Sequence, residues 1–137
     1  IVVEGTSPVR AQEKKAKSVK NPVEGAWRQI GQINPNTGQF VKNPEGVEMT
    51  KIITGGRYAW TVTVQGKLAM ASGGSYTFKD GVYTEECKYI SGENLKHLVN
   101  KDFPYPVKFK DGKWHLQATF KSNEGEMRID EMWERYP

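Results

Sequence analysis

Residues 55–90 read GGRYAWTVTVQGKLAMASGGSYTFKDGVYTEECKYI. Tyr58, Trp60, Val62 and Val64 alternate with Ala59, Thr61 and Thr63. That period of two, in aromatic and β-branched residues, predicts a strand on a half-buried sheet. Gly66 breaks the run, Lys67 to Ala71 resume it weakly, and Gly73-Gly74 punctuates it again. Tyr76 and Phe78 alternate up to Asp80-Gly81, a strong two-residue hairpin signal. Beyond that turn, Tyr83, Glu85, Cys87 and Tyr89 share one face, and Val82, Thr84, Glu86, Lys88 and Ile90 share the other. The stretch is an antiparallel meander, and its sheet needs strands on both sides.

Toward the N-terminus, Val47–Thr54 reads as a strand with Val47, Met49, Lys51 and Ile53 on one face. Asn43-Pro44-Glu45-Gly46 and Asn34-Pro35-Asn36-Thr37-Gly38 are turn clusters, with Phe40-Val41 between them as a short edge piece or loop anchor. Gly25-Ala26-Trp27 leads into Arg28–Ile33, where Ile30 is the clearest apolar partner of Trp27. Toward the C-terminus, Ser91-Gly92 turns the chain and Leu95, Leu98 and Val99 suggest a short irregular segment. Phe103-Pro104-Tyr105-Pro106 excludes a central strand there, because proline cannot donate to a ladder. Val107–Lys110 is a strand ending at a second hairpin, Asp111-Gly112, after which Trp114, Leu116, Ala118 and Phe120 alternate. After a turn at Ser122–Gly125, Glu126 to Tyr136 is the last strand, with Met127, Ile129 and Trp133 in phase.

About eight hairpin-linked strands, turning every eight to twelve residues, predict an all-β sandwich or barrel. Sequential hairpins favour the up-and-down barrel, which leaves no open sheet edge. The 137 residues fit one domain, placed at 22–137. Residues 1–21 are expected to be a flexible linker, rich in lysine, glutamate, serine and alanine. That linker decides what the net charge of +4 means. Residues 1–20 hold Arg10, Lys14, Lys15, Lys17 and Lys20 against Glu4 and Glu13, so the rest of the chain is nearly neutral, with 15 basic and 14 acidic groups. A nucleic-acid protein carries its basic stripe on the domain, so no nucleic-acid partner is expected. The single cysteine, Cys87, rules out an internal disulfide. No stretch approaches the roughly 18 apolar residues of a membrane helix.

Gly25-Ala26-Trp27 at the start of the first strand resembles the G-x-W signature of lipocalins and their calycin relatives. Three further pieces join it: Gly55–Trp60; Gly73-Gly74-Ser75-Tyr76 followed by Tyr83-Thr84-Glu85; and Met132-Trp133-Glu134-Arg135. Together, over Asn21 to Pro137, they resemble the lipocalin-like domains of unknown function found in exported proteins of Bacteroidetes. In lipocalins a C-terminal arginine packs across the G-x-W tryptophan and closes the narrow end of the barrel. The resemblance therefore gives Gly25, Trp27 and Arg135 structural roles, with Arg128 the second choice for the arginine. It also implies an exported protein, periplasmic or at the cell surface, with a membrane tether or export signal possible upstream of residue 1.

An eight-stranded barrel is just wide enough for one small ligand. Tyr58, Trp60, Tyr76, Phe78, Tyr83, Tyr89, Phe109, Trp114 and Phe120 are available for its wall, either as plain core or as a cavity lining. Glu85, in phase with Tyr83 and Cys87, is the most informative residue. Inside a barrel its charge needs a partner, for which Arg57, Arg28 or a tyrosine hydroxyl is available. It then anchors a ligand or closes a structural network, unless the phase is reversed and Glu86 points in. His97 and His115 lie far apart with no ligand spacing, so no metal is expected, nor any cofactor. No nucleophile elbow, P-loop or dinucleotide fingerprint occurs.

The sequence therefore points to non-catalytic binding of a small apolar or amphipathic ligand. Tyr58, Trp60, Tyr76, Tyr83, Glu85, Trp114 and Phe120 are the expected ligand residues, and none is assigned a catalytic role. Two other readings stand beside it. One is an interaction module that binds protein or glycan through outer loops, with Phe40-Val41 and Phe103–Pro106 as anchors. The other is a hydrolase that uses Glu85 with Glu86, Asp130 or Glu131.

Overall fold

The computed structural model describes residues 21–122 and 125–137. The linker expected over residues 1–21 lies, apart from Asn21, outside the described residues. Nine strands follow one another: β1 Gly25–Ile33, β2 Phe40–Lys42, β3 Val47–Thr54, β4 Arg57–Val64, β5 Lys67–Lys79, β6 Val82–Ile90, β7 Asp102–Lys110, β8 Lys113–Ser122 and β9 Gly125–Arg135. A short 3-10 segment, Glu93–Leu98, joins β6 to β7. Each strand from β3 onward pairs antiparallel with the next, and β1 pairs with both β3 and β9. The sheet therefore closes into an up-and-down barrel of eight strands. The ninth, β2, lies along the second half of β1, where Gly31 faces Lys42 and Ile33 faces Phe40.

Four hairpins turn on two residues each: Gly55-Gly56, Gln65-Gly66, Asp80-Gly81 and Asp111-Gly112. All eight carry positive φ, between 52° and 80°. That is the mirror-image turn whose twist matches paired strands, and it explains why the Asp-Gly signals were readable. Three of these turns lie at one end of the barrel, beside the coil Asn21–Glu24 and the C-terminus. The other end carries the longer connections.

Arg135 closes the first end. Its guanidinium carbon stands 4.2 Å above the Trp27 ring. Its nitrogens donate to the backbone oxygens of Glu24 and Pro22, at 2.7 and 2.6 Å. Below it Trp27 is fully buried, its ring N–H donating to the Val23 oxygen at 2.8 Å. Trp27 meets Trp114 edge-on at 5.2 Å, and Tyr83 meets the other side of Trp114 at 5.3 Å. Gly25 is needed at this point, because a Cβ there would strike the Arg135 guanidinium and the backbone holds φ at 134°.

Four expectations from the sequence are corrected by the ladder. Gly73-Gly74 does not interrupt the strand, because β5 runs straight through it. The pair sits at a bulge, where Gly73 faces Tyr89 but Gly74 faces Cys87. A Cβ on Gly74 would collide with the Glu86 carbonyl oxygen, so only glycine lets β6 approach this closely. The same bulge turns Tyr89 out of the barrel, where it is 53% exposed and lies over Gly73. The prolines at 104 and 106 do not exclude a central strand. The Val107 N–H donates to Gly81, so by alternation Pro104 and Pro106 aim their nitrogens at β8. The β7–β8 ladder covers Val107–Lys110, and no bond is asked of either proline. Ile30 is not the partner of Trp27: it falls at the register shift between Gln29 and Gly31, and Gln29 takes the inward place.

Candidate functional site

The interior divides into a filled half and a hollow half. Trp27, Tyr83, Trp114, Leu116 and Trp133 are fully or almost fully buried and pack the closed end. Toward the longer connections a cup of about 170 Å3 remains. Tyr58 and Trp60 of β4, Phe103 and Tyr105 of β7, and Ile129 of β9 form its walls, with Ile90 and Leu98 at the lip. Ser72, Glu85 and Cys87 complete the lining. Alternation on β6 delivers both Glu85 and Cys87, because the bulge comes only after them.

The charge of Glu85 is met by Lys51. Nζ lies 2.7 Å from Oε2, and the hydroxyl of Tyr83 donates to the same oxygen at 2.8 Å. Both charged side chains are almost fully buried. Lys51 reaches the interior because β3 places it in phase with Met49 and Ile53. There its ammonium stands 4.9 Å from the Trp133 ring centre and 5.6–5.9 Å from those of Tyr83, Tyr105 and Trp114. Four aromatic faces thus supply electrostatic contact that water would otherwise give. Neither proposed arginine serves: Arg28 pairs with Glu134 on the outer surface, and Arg57 is exposed.

A second carboxylate, Glu131, faces inward in phase with Ile129 and Trp133, and the Trp133 ring N–H donates to it at 3.1 Å. Burial pushes its pKa up from the ordinary 4.5, and the Glu85 charge adds to the rise, while Lys51, Trp133 and Gln29 oppose it. Burial and the Glu85 charge likewise raise the hydroxyls of Tyr58, Tyr83 and Tyr105. A carboxyl raised in the folded state favours folding with its proton on. That contribution is complete below the unfolded value and is lost as pH rises through the folded one. The domain should therefore lose stability as pH rises above about 4.5 on account of Glu131. Glu131→Gln, which keeps an oxygen for Trp133, should flatten that part of the profile. Melting temperatures from pH 4.5 to 8 check this, and an unchanged slope in the variant would refute the assignment.

Of the residues singled out from sequence, Tyr58, Trp60 and Glu85 come together in the cup. Tyr83 touches Glu85 from the filled side. Tyr76 and Trp114 belong to the closed half, where the Tyr76 hydroxyl donates to Glu24 and accepts from Asn21. Phe120 is not in the cup lining and stands edge-on to Phe103 and Tyr105 at 5.4 and 5.8 Å. Phe109 lies at the closed rim near Trp27 and is 42% exposed. Tyr105 is no surface anchor, since it points inward and is buried. Lys51, Phe103 and Tyr105 are inner residues that sequence reasoning did not assign to the ligand site, and Glu131 was named only for the hydrolase reading. Each stood in phase with apolar neighbours, which was the signal available.

His115 lies on the outer face and meets Asp130 at 2.5 Å, with Gln117 also on that carboxylate. Among the described residues no group of three or more metal-ligating side chains is found. A larger and more polar hollow of about 470 Å3 opens at the β1–β9 rim beside Gln32, Gln117, Arg128 and Asp130. It shares Ile129 with the cup but has no aromatic wall. The family model described as a domain of unknown function, DUF4488, matches residues 22–137, the whole of the barrel. No curated protein matches the chain.

Proposed function

Since the chain belongs to the DUF4488 family of domains of unknown function, we propose its role from the barrel itself: non-catalytic binding of a small, partly apolar ligand in the cup. The observation that carries this is the half-filled interior. One end is packed solid, and the other keeps about 170 Å3 walled by Tyr58, Trp60, Phe103 and Tyr105. Ligand sites are mostly apolar hollows with a few placed polar groups, and here those groups are Glu85 and Ser72. The volume suits a ligand of roughly one aromatic ring, since an apolar cavity of about 150 Å3 accepts benzene. Burying about 200 Å2 of such a ligand at about 25 cal/mol per Å2 contributes about 5 kcal/mol, most of which the losses of association offset, so the placed polar groups must add to the affinity.

Kinship with lipocalins belongs to the same proposal. Its support is the Gly25–Trp27 signature with Arg135 laid across the tryptophan. An exported setting goes with that kinship, and fractionation of cells expressing the protein from its own gene tests it. A hydrolase reading has less support: Glu85 is engaged by Lys51 and Tyr83, Glu86 is tied to Lys88 and Ser75, Asp130 lies outside with His115, and Glu131 does not line the cup. The outer-loop reading keeps Phe40 and Val41, both about half exposed, but no longer has Tyr105.

The test is a titration with indole and 2-phenylethanol, followed by amide chemical shifts. Saturable shifts confined to residues around the cup are expected, and Trp60→Ala should abolish them while the fold persists. No saturable shift with either probe would refute a ligand-binding cup.

A further inference from the structure

Resting on that ligand-binding reading, we propose that the cup selects cationic ligands: a protonated amine on a one-ring or short apolar body, its ammonium seated on Glu85. Glu85 is the one charged residue in the described lining of the cup. Both of its hydrogen bonds, from Lys51 and from Tyr83, fall on Oε2. Oε1 takes neither, so the wall offers a carboxylate oxygen as acceptor, with the Lys51 ammonium on the far oxygen. No lysine or arginine lines the cup among the described residues. A carboxylate-bearing ligand such as a fatty acid would meet the Glu85 carboxylate and find no lysine or arginine in the lining to receive it.

The charge count inside the barrel points the same way. Lys51 is the one buried cation among the described residues, and it is already committed to Glu85. Glu131, beside Trp133, shares that same cation with Glu85, so two carboxylates stand against one ammonium. An incoming ammonium supplies the missing positive charge, which the desolvated site favours strongly. Tyr58, Trp60, Phe103 and Tyr105 present ring faces or edges around the same space. Aromatic walls attract an ammonium more strongly than a neutral hydroxyl. A neutral ligand with a donor would satisfy Oε1 but would leave the excess negative charge in place.

Three probes of one size separate the possibilities: phenethylamine, 2-phenylethanol and phenylacetate, titrated at pH 7 and followed by amide shifts. The expected result is phenethylamine binding at least about tenfold tighter than the alcohol, with phenylacetate not binding measurably. Equal affinity for amine and alcohol, or preference for phenylacetate, would overturn the cationic assignment while leaving a ligand-binding cup intact. Binding of none of the three would overturn both. Glu85→Gln leaves Lys51 unpaired and risks the fold, so Glu131→Gln is the informative variant. It should reduce the amine preference severalfold and leave the alcohol unchanged. A variant that keeps the full amine preference would show that Glu131 plays no part in selection, and would overturn the charge argument.

Discussion

Lys51→Met should lower the stability of the domain by about 3–5 kcal/mol at neutral pH, because it leaves Glu85 buried without its cation. For a domain of this size that is a fall in melting temperature of roughly 10–20 °C. Volume is not the cause. Methionine fills nearly the same space and suits the four rings that surround Lys51. What is lost is charge compensation at an almost fully buried carboxylate. The double substitution Lys51→Met with Glu85→Gln separates the two explanations. The amide oxygen still accepts the Tyr83 hydroxyl, and no uncompensated charge is left at position 85. Replacing a buried pair in this way is often close to neutral. Chemical denaturation of the single and double variants measures it. A double variant as unstable as the single one would mean that packing, not charge, was lost.

Trp27→Ala should cost about 3–5 kcal/mol, the range for removing a large aromatic side chain from a core. Trp27 is fully buried, and its truncation removes a partner of Trp114, the hydrogen bond to Val23 and the platform under Arg135. Arg135→Ala should cost far less. Stacking on Trp27 contributes roughly 0.5–2 kcal/mol, and the two backbone oxygens it binds are freed toward solvent. Hydrogen exchange should then show the coil Asn21–Glu24 loosened while the strands stay protected. A Trp27→Ala variant within about 1 kcal/mol of the parent would remove the closed end as the main source of stability.

The parts of this barrel legible in the sequence were those set by near neighbours. Asp80-Gly81 and Asp111-Gly112 announce their turns because both residues accept positive φ. Alternation set Tyr58, Trp114 and Leu116 in phase with apolar neighbours, and they are buried; for Glu85, also buried, it left the inward or outward direction open. Phase failed where a single extra residue entered the ladder, at Ile30 and at Lys88, because a bulge leaves no reliable local mark. Partners across the barrel were also hidden. Lys51 and Glu85 are 34 residues apart, and a single sequence carries each phase but not their meeting. The difference between a hollow and a filled interior depends on how far Trp114, Tyr83 and Trp133 reach, and alternation does not record reach.

The ladder that closes the barrel differs from every other one. Strands β3 to β9 pair with their sequence neighbours, whereas Trp27 finds Arg135 across almost the whole domain. Chain entropy makes such a contact the last to form, after the local hairpins have assembled. Refolding should therefore pass through a curled, unclosed sheet whose outer strands β1 and β9 are both unpaired at their free edges. Substitutions in that seam should accelerate unfolding and leave the folding rate nearly unchanged. In this intermediate the danger is self-association: β9 of one molecule can meet β1 of another before its own, and dilution should favour correct closure.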